Sequence, residues 1–148
     1  MEIAILALGC FWGPEIKFGK IEGIKKTEVG YCGGNNSRTT YEEVCSGNTN
    51  HAEVVRLEFD PKKILYKEIL QHFFDMHDPT TLNAQGPDIG TQYRSEIFYV
   101  DESQKKIAKK VIEENNKKLS GKVLTKLSLL KNYCPAEDYH QKYLEKKI

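Results

Sequence analysis

The chain has 148 residues, enough for one domain that buries a core without disulfides or a structural metal. Its 22 basic and 21 acidic residues nearly cancel, and 39% of it is hydrophobic, which excludes a disordered chain and gives no excess charge for a polyanion. Acidic residues are mixed into the lysine-rich last third, the pattern of a solvated helix face and not of a nucleic-acid patch.

In chain order, "IAILAL" (3–8) is apolar on both faces and predicts a central strand. The run is too short to cross a membrane and has no basic lead-in, so the reading expects a cytoplasmic protein without a membrane partner. Gly9 to Gly13 form the turn out of that strand, and Pro14 opens a short helix to about Lys20. "IKKTEVGY" (24–31) and "HAEVVRLEF" (51–59) read as strands, the second closed by Asp60–Pro61. "KKILYKEILQHFF" (62–74) has Leu65, Ile69 and Phe73 at helical spacing.

The irregular stretch "DPTTLNAQGPDIGTQ" (78–92) leads into a strand, "SEIFYV" (95–100). A helix then runs from 101–103 to before Gly121, "KVLTKLSLL" (122–130) reads as strand, and "PAEDYHQKYLEKK" (135–147) as helix. The order β-α-β-β-α-β is that of a split βαβ, ferredoxin-like layer. The expected fold is therefore a single two-layer α/β (α+β) domain over 1–148, with a C-terminal helix-strand-helix addition.

Cysteines stand at 10, 32, 45 and 134 with no CxxC pair, so buried thiols, catalysts or metal ligands are all more natural than a disulfide framework. Cys10 lies where the first strand hands over to a helix. Unpaired N–H groups there favour a thiolate, and Gly9 and Gly13 permit close approach of a substrate, but an inert buried thiol fits the same position.

Glu53 shares a strand face with Val55, Leu57 and Phe59, so it must be neutral or paired. It is a proton donor or a structural carboxylate facing Arg38 or Arg94. The segment 78–92 is long for a structureless connection, which marks a binding or catalytic loop carrying Asp78, Gln85, Asp88 and Gln92. Tyr93 and Tyr41 add hydroxyls, and Phe11 and Trp12 an apolar wall. Such a set suits a carbonyl or a sulfoxide, whose oxygen gains charge as sulfur attacks.

Five blocks, "GCFWGPE" (9–15), "VGYCGG" (29–34), "TYEEVCSGNTNHAEVV" (40–55), "HDPTTLNAQGPDIGTQYRS" (77–95) and "PAEDYHQKYL" (135–144), closely resemble the A-type peptide-methionine sulfoxide reductases. The blocks stand in family order over nearly the whole chain. The resemblance implies reduction of the S epimer of methionine sulfoxide, free or in proteins, with thioredoxin or another thiol as reductant and no flavin, nicotinamide or metal cofactor. It casts Cys10 as nucleophile, Glu53 as acid, Tyr41, Tyr93 and Asp88 as oxygen-holding and shaping groups, and Phe11 and Trp12 as the wall for the substrate methyl.

Attack would leave Cys10 as a sulfenic acid that a second thiol converts to a disulfide. Many members carry resolving cysteines on a glycine-rich tail that is absent after this chain's last block. Cys134 and Cys32 are the internal candidates, an external thiol is the alternative, and Cys45 reads as structural. The family often writes "NRQG" where this chain has "NAQG" (83–86), so Ala84 removes a positive side chain.

A monomer is expected. Three rival readings stand beside this one: a cysteine hydrolase or acyltransferase with His51 or His140 as base, zinc bound by Cys10, Cys32 or Cys45 with His72 or His77, and a non-catalytic module that docks oxidised methionine.

Overall fold

A computed structural model describes residues 1–147. β1 (Glu2–Leu8) is central, flanked by β3 (Ala52–Phe59) and β6 (Ser95–Tyr99), and β2 (Ile24–Cys32) pairs with β3. These four run antiparallel in the order β6-β1-β3-β2, the split βαβ arrangement read from the sequence. β7 (Lys126–Leu129) adds a parallel edge beside β6, and the two-residue β8 (Cys134–Pro135) pairs with β2 at the other edge.

One sheet face packs under helices. Ala4, Leu6, Leu8, Val55, Leu57 and Ile97 meet Phe18 of α1 (Trp12–Gly19), Ile69, Leu70 and Phe73 of α3 (Tyr66–Met76), and Ala108 and Val111 of α4 (Glu102–Lys118). The opposite face carries a smaller cluster of Ile5, Ala7, Cys32, Ala52, Val54 and Phe98, against which Leu130 and Tyr133 pack. α4 starts as its sequence signals, with the Asp101 carboxylate accepting from the Gln104 N–H at 2.8 Å.

Several predicted elements differ from those observed. α3 begins at Tyr66 and not at 62, because Asp60 accepts from the backbone N–H of Lys62, Lys63 and Ile64 and holds them in a turn, with Leu65 extended. Of the predicted strand 122–130, only Lys126–Leu129 joins the sheet; upstream, Val123 N–H goes to Asn116 Oδ1 and Leu124 N–H to the Pro79 carbonyl.

The predicted helix 135–147 is broken into β8, a 3-10 turn at Asp138–His140 and a short α5 (Tyr143–Lys146). Gln141 is the reason. Its side-chain amide accepts from Val29 N–H and donates to the Val29 carbonyl, both at 2.9 Å, and so stands in for a neighbouring strand. Lys142 then takes a left-handed φ of 52°.

An unpredicted helix, α2 (Tyr41–Cys45), follows Thr40, whose hydroxyl accepts from Glu43 N–H at 3.2 Å. Within the long loop, β4 (Ala84–Gln85) and β5 (Asp88–Ile89) form a small hairpin, followed by a 3-10 turn at Thr91–Tyr93. No described helix is long and apolar enough to cross a membrane.

Candidate active site

The C-terminal end of β1 delivers the chain into Gly9, whose φ of +99° belongs to glycine. A Cβ there would also meet the Gln85 side chain at 2.8 Å, so the hairpin loop closes down on this turn. Gln85 is tied in place by the Asp78 backbone: it accepts from Asp78 N–H at 3.0 Å and donates to the Asp78 carbonyl. Ala84 is backbone-paired with Ile89 in this hairpin, and its carbonyl accepts from the Thr81 hydroxyl.

Cys10 comes next and is half-buried. The Trp12 backbone N–H is directed at its sulfur, as expected for the approach to a helix start. The expectation that this position lowers the thiol pKa fails, however. Burial pushes it up to about 11, the Trp12 N–H opposes that, and the carboxylates of Glu53 and Asp88 add to the rise. The resting sulfur is a thiol at neutral pH.

Glu53, in the second position of β3, is 1% exposed and lies on the helix face with Val55, Leu57 and Phe59. Oε1 accepts from Phe11 N–H at 3.3 Å, while Oε2 is buried without a hydrogen-bond partner among the described residues. Neither suggested arginine pairs with it: Arg38 is exposed and makes no ion pair with Glu53, and Arg94 Nε donates to Glu96 at 2.7 Å, its other nitrogens to the carbonyls of Thr91 and Asn50. Burial raises the Glu53 pKa to about 8, and Asp88 adds to the rise, so at neutral pH it holds a proton on an oxygen with nothing to donate to. The site is built around that vacant donor.

Tyr41 and Tyr93 come together beside it. The Tyr41 hydroxyl lies close enough to the Tyr93 hydroxyl and to Cys45 Sγ for each to perturb its neighbour. Burial, with the Glu53 charge behind it, pushes Tyr93 up to about 12, and burial with the Cys45 contact pushes Tyr41 higher still. Both remain donors through the physiological range. Asp88, at the start of β5, is close enough for its charge to reach Cys10, Glu53 and Tyr93.

The aromatic wall is held from the C-terminal segment. Phe11 is 1% exposed, with its ring centroid 5.8 Å from Tyr31 and 5.3 Å from His140. Trp12 donates from Nε1 to His140 Nδ1 at 3.1 Å and stacks on Tyr143 at 3.8 Å. His140 is thereby fixed as the Nε2–H tautomer, and burial lowers its pKa. Glu137 accepts from the Tyr31 hydroxyl on one oxygen and from Tyr41 N–H on the other, each at 2.9 Å, which anchors the start of α2.

Glu137, His140 and Gln141 were not assigned these tasks from the sequence. They lie in a segment read as a regular helix, and no local pattern reports a contact across about a hundred positions. Cys45, read as structural, lies against Tyr41 at the rim of the site and is exposed.

The structure does not bring Cys32 to the site. It is fully buried on the opposite sheet face, and its thiol donates to the Lys131 carbonyl. Cys134 is half-buried and pairs across the sheet edge with Tyr31, which pairs in turn with Glu53. Two strand spacings put its backbone roughly 10 Å from that of Glu53. His51 is no free base: Nδ1 accepts from Gly34 N–H at 3.1 Å, and Nε2 faces the Asn36 carbonyl at 2.9 Å. Among the described residues no three His, Cys, Asp or Glu side chains converge as metal ligands.

A thiol beside a buried acid with a free oxygen, at the mouth of a ferredoxin-like layer, defines a cysteine-based enzyme acting on a polar oxygen. The model of the family described as peptide methionine sulfoxide reductase matches residues 2–148. The peptide methionine sulfoxide reductase MsrA of Pelagibacter ubique (strain HTCC1062) is 71% identical over 147 residues, covering 99% of this chain and all of that protein. Mxr1 of Saccharomyces cerevisiae in reduced form superposes with a TM-score of 0.94 at 41% identity, covering 98% of this chain and 84% of that one. Mxr1 in complex with Trx2 superposes with a TM-score of 0.69 at 29% identity, over 96% of this chain and 84% of that one.

The chain belongs to the MsrA family of peptide methionine sulfoxide reductases. It is a thiol-dependent oxidoreductase that reduces methionine sulfoxide to methionine.

Proposed function

We propose that the enzyme acts on the S epimer of methionine sulfoxide, free or in oxidised proteins, with Cys10 as nucleophile and Glu53 as proton donor. The buried Oε2 of Glu53, protonated and without a partner, carries this reading. A sulfoxide oxygen is the acceptor it lacks.

In the bound state the methyl group rests on Phe11 and Trp12, and the oxygen takes hydrogen bonds from Glu53, Tyr41 and Tyr93. A neutral Glu53 no longer repels charge on Cys10, so the sulfur ionises as it attacks the sulfoxide sulfur. The protonated oxygen then passes from the sulfoxide sulfur to Cys10: the sulfoxide S–O bond and the new S–S bond break, a Cys10 S–O bond forms, and the thioether leaves. Sulfoxide and thiol thus become thioether and Cys10–SOH with no net proton consumed. Asp88 shapes the pocket from the hairpin loop.

Cys134 is the internal thiol proposed to condense with the sulfenic acid, releasing water and forming a Cys10–Cys134 disulfide. Thioredoxin then reduces it, a role supported by the Mxr1 relative captured with Trx2. The four cysteines, all free, suit a reducing compartment such as the cytoplasm.

The test supplies each epimer of a blocked methionine sulfoxide with dithiothreitol and follows methionine. Wild type converts the S epimer and leaves the R epimer untouched, and Cys10→Ser converts neither. Equal turnover of both epimers, or turnover by Cys10→Ser, would overturn the proposal.

A further inference from the structure

We propose that the groove along the outer face of α1 is a subsite for acidic residues flanking the oxidised methionine of a polypeptide substrate. The proposal rests on the functional reading above. The groove is a cavity of about 460 Å³ between α1, the start of β2 and the segment Lys142–Glu145. Trp12, Ile16 and Lys20 line it at successive four-residue steps, so it follows one helix face away from the catalytic wall. Ile24 and Leu144 make its remaining apolar surface.

Its rim is cationic. Lys20, Lys25, Lys26 and Lys142 line it, and all four are exposed. Lys26 reaches Glu58 only at 3.9 Å with its side chain 63% exposed, a contact that leaves its charge available. Two carboxylates also line the groove. Glu15 is 3% exposed and turned inward, accepting from the Thr27 hydroxyl and from Lys142 N–H. Among the described residues that line the groove, Glu145 is the one exposed carboxylate against the four ammonium groups.

Trp12 is shared by this groove and by the wall proposed to receive the substrate methyl. A polypeptide held there by its oxidised methionine therefore has the groove as its neighbour. The eight residue steps from Trp12 to Lys20 span about 12 Å. An extended chain covers that in three or four residues at about 3.3–3.6 Å each. Acidic side chains two to four positions from the methionine sulfoxide reach the lysines, while their neighbours cover Ile16, Ile24 and Leu144.

The test compares peptides carrying one central methionine sulfoxide with Asp, Asn or Lys at positions two to four on either side. Dithiothreitol is the reductant, at low and high salt. At low salt the Asp peptide is reduced with a kcat/KM about tenfold above the Lys peptide, expressed in KM, as two or three partly exposed charge pairs would give. The preference shrinks at high salt. Lys20, Lys25 and Lys26 changed together to Ser abolish it, and changed to Glu reverse it.

Equal rates for Asp and Lys peptides in the wild type, or a preference untouched by the substitutions, would refute the subsite. If the substitutions slow recycling by thioredoxin and leave the peptide preference intact, the groove docks the reductant and the proposal falls. Blocked methionine sulfoxide has no flanking residues, so failure of the wild type on it would sink the catalytic reading instead.

Discussion

Replacing Glu53 by Gln isolates the energetic burden of holding a carboxyl in the core. In the folded protein its pKa is raised from 4.5 to about 8, mainly by burial. Between those values the folded state keeps a proton that the unfolded chain has released, so stability is complete below about pH 4.5 and falls as pH rises toward 8. At about 1.36 kcal/mol per unit, the loss across the window is about 5 kcal/mol.

Glutamine keeps an acceptor for Phe11 N–H and has no proton to lose. The difference in stability, variant minus wild type, should therefore climb through this window and be flat on either side. In a domain of this size the climb corresponds to roughly 10–20 °C in Tm. Thermal unfolding of both proteins from pH 4 to 9 measures it. A difference curve that stays level through the window would show that Glu53 ionises freely in the folded state, and the proton-donor argument would go with it.

Other expectations follow from single contacts. Peptide mapping without reductant, after one turnover, should recover a Cys10–Cys134 linkage; recovery of Cys10 sulfenic acid with Cys134 free would assign resolution to the external thiol. Gly9→Ala should cost about 1–3 kcal/mol in chemical denaturation through strain at positive φ, with part of it restored by Gln85→Ala. Glu137→Ala leaves the Tyr31 hydroxyl and Tyr41 N–H without their acceptor, so a loss of about 1–3 kcal/mol in stability is expected together with a fall in kcat. Unchanged kcat there would remove Tyr41 from the reaction.

Strict alternation in β3 made Glu53 legible as a carboxyl on an apolar face, and the strand-to-turn sequence at Gly9–Cys10 marked the thiol. The length of segment 78–92 exposed it as a working loop. Helix α2 was readable too, since Thr40 and Glu43 have capping-box spacing. With it, Tyr41 and Cys45 one turn apart would have appeared as a contacting pair.

Two features resisted such reading. The raised Cys10 pKa depends on burial that no spacing reports, and it won over the helix-start effect that the local pattern does report. The C-terminal block has helical composition, yet Gln141 spends its amide on Val29, a tertiary bond that outcompetes the helix.

Glu137, His140 and Gln141 complete a pocket whose proposed nucleophile lies near the other end of the chain. During synthesis Cys10 emerges more than a hundred residues ahead of them. A nascent chain therefore carries this cysteine before the scaffold that could aim it. Reductase activity arrives in one late step, when the distal segment docks, and a prematurely terminated product would possess the cysteine but not the enzyme.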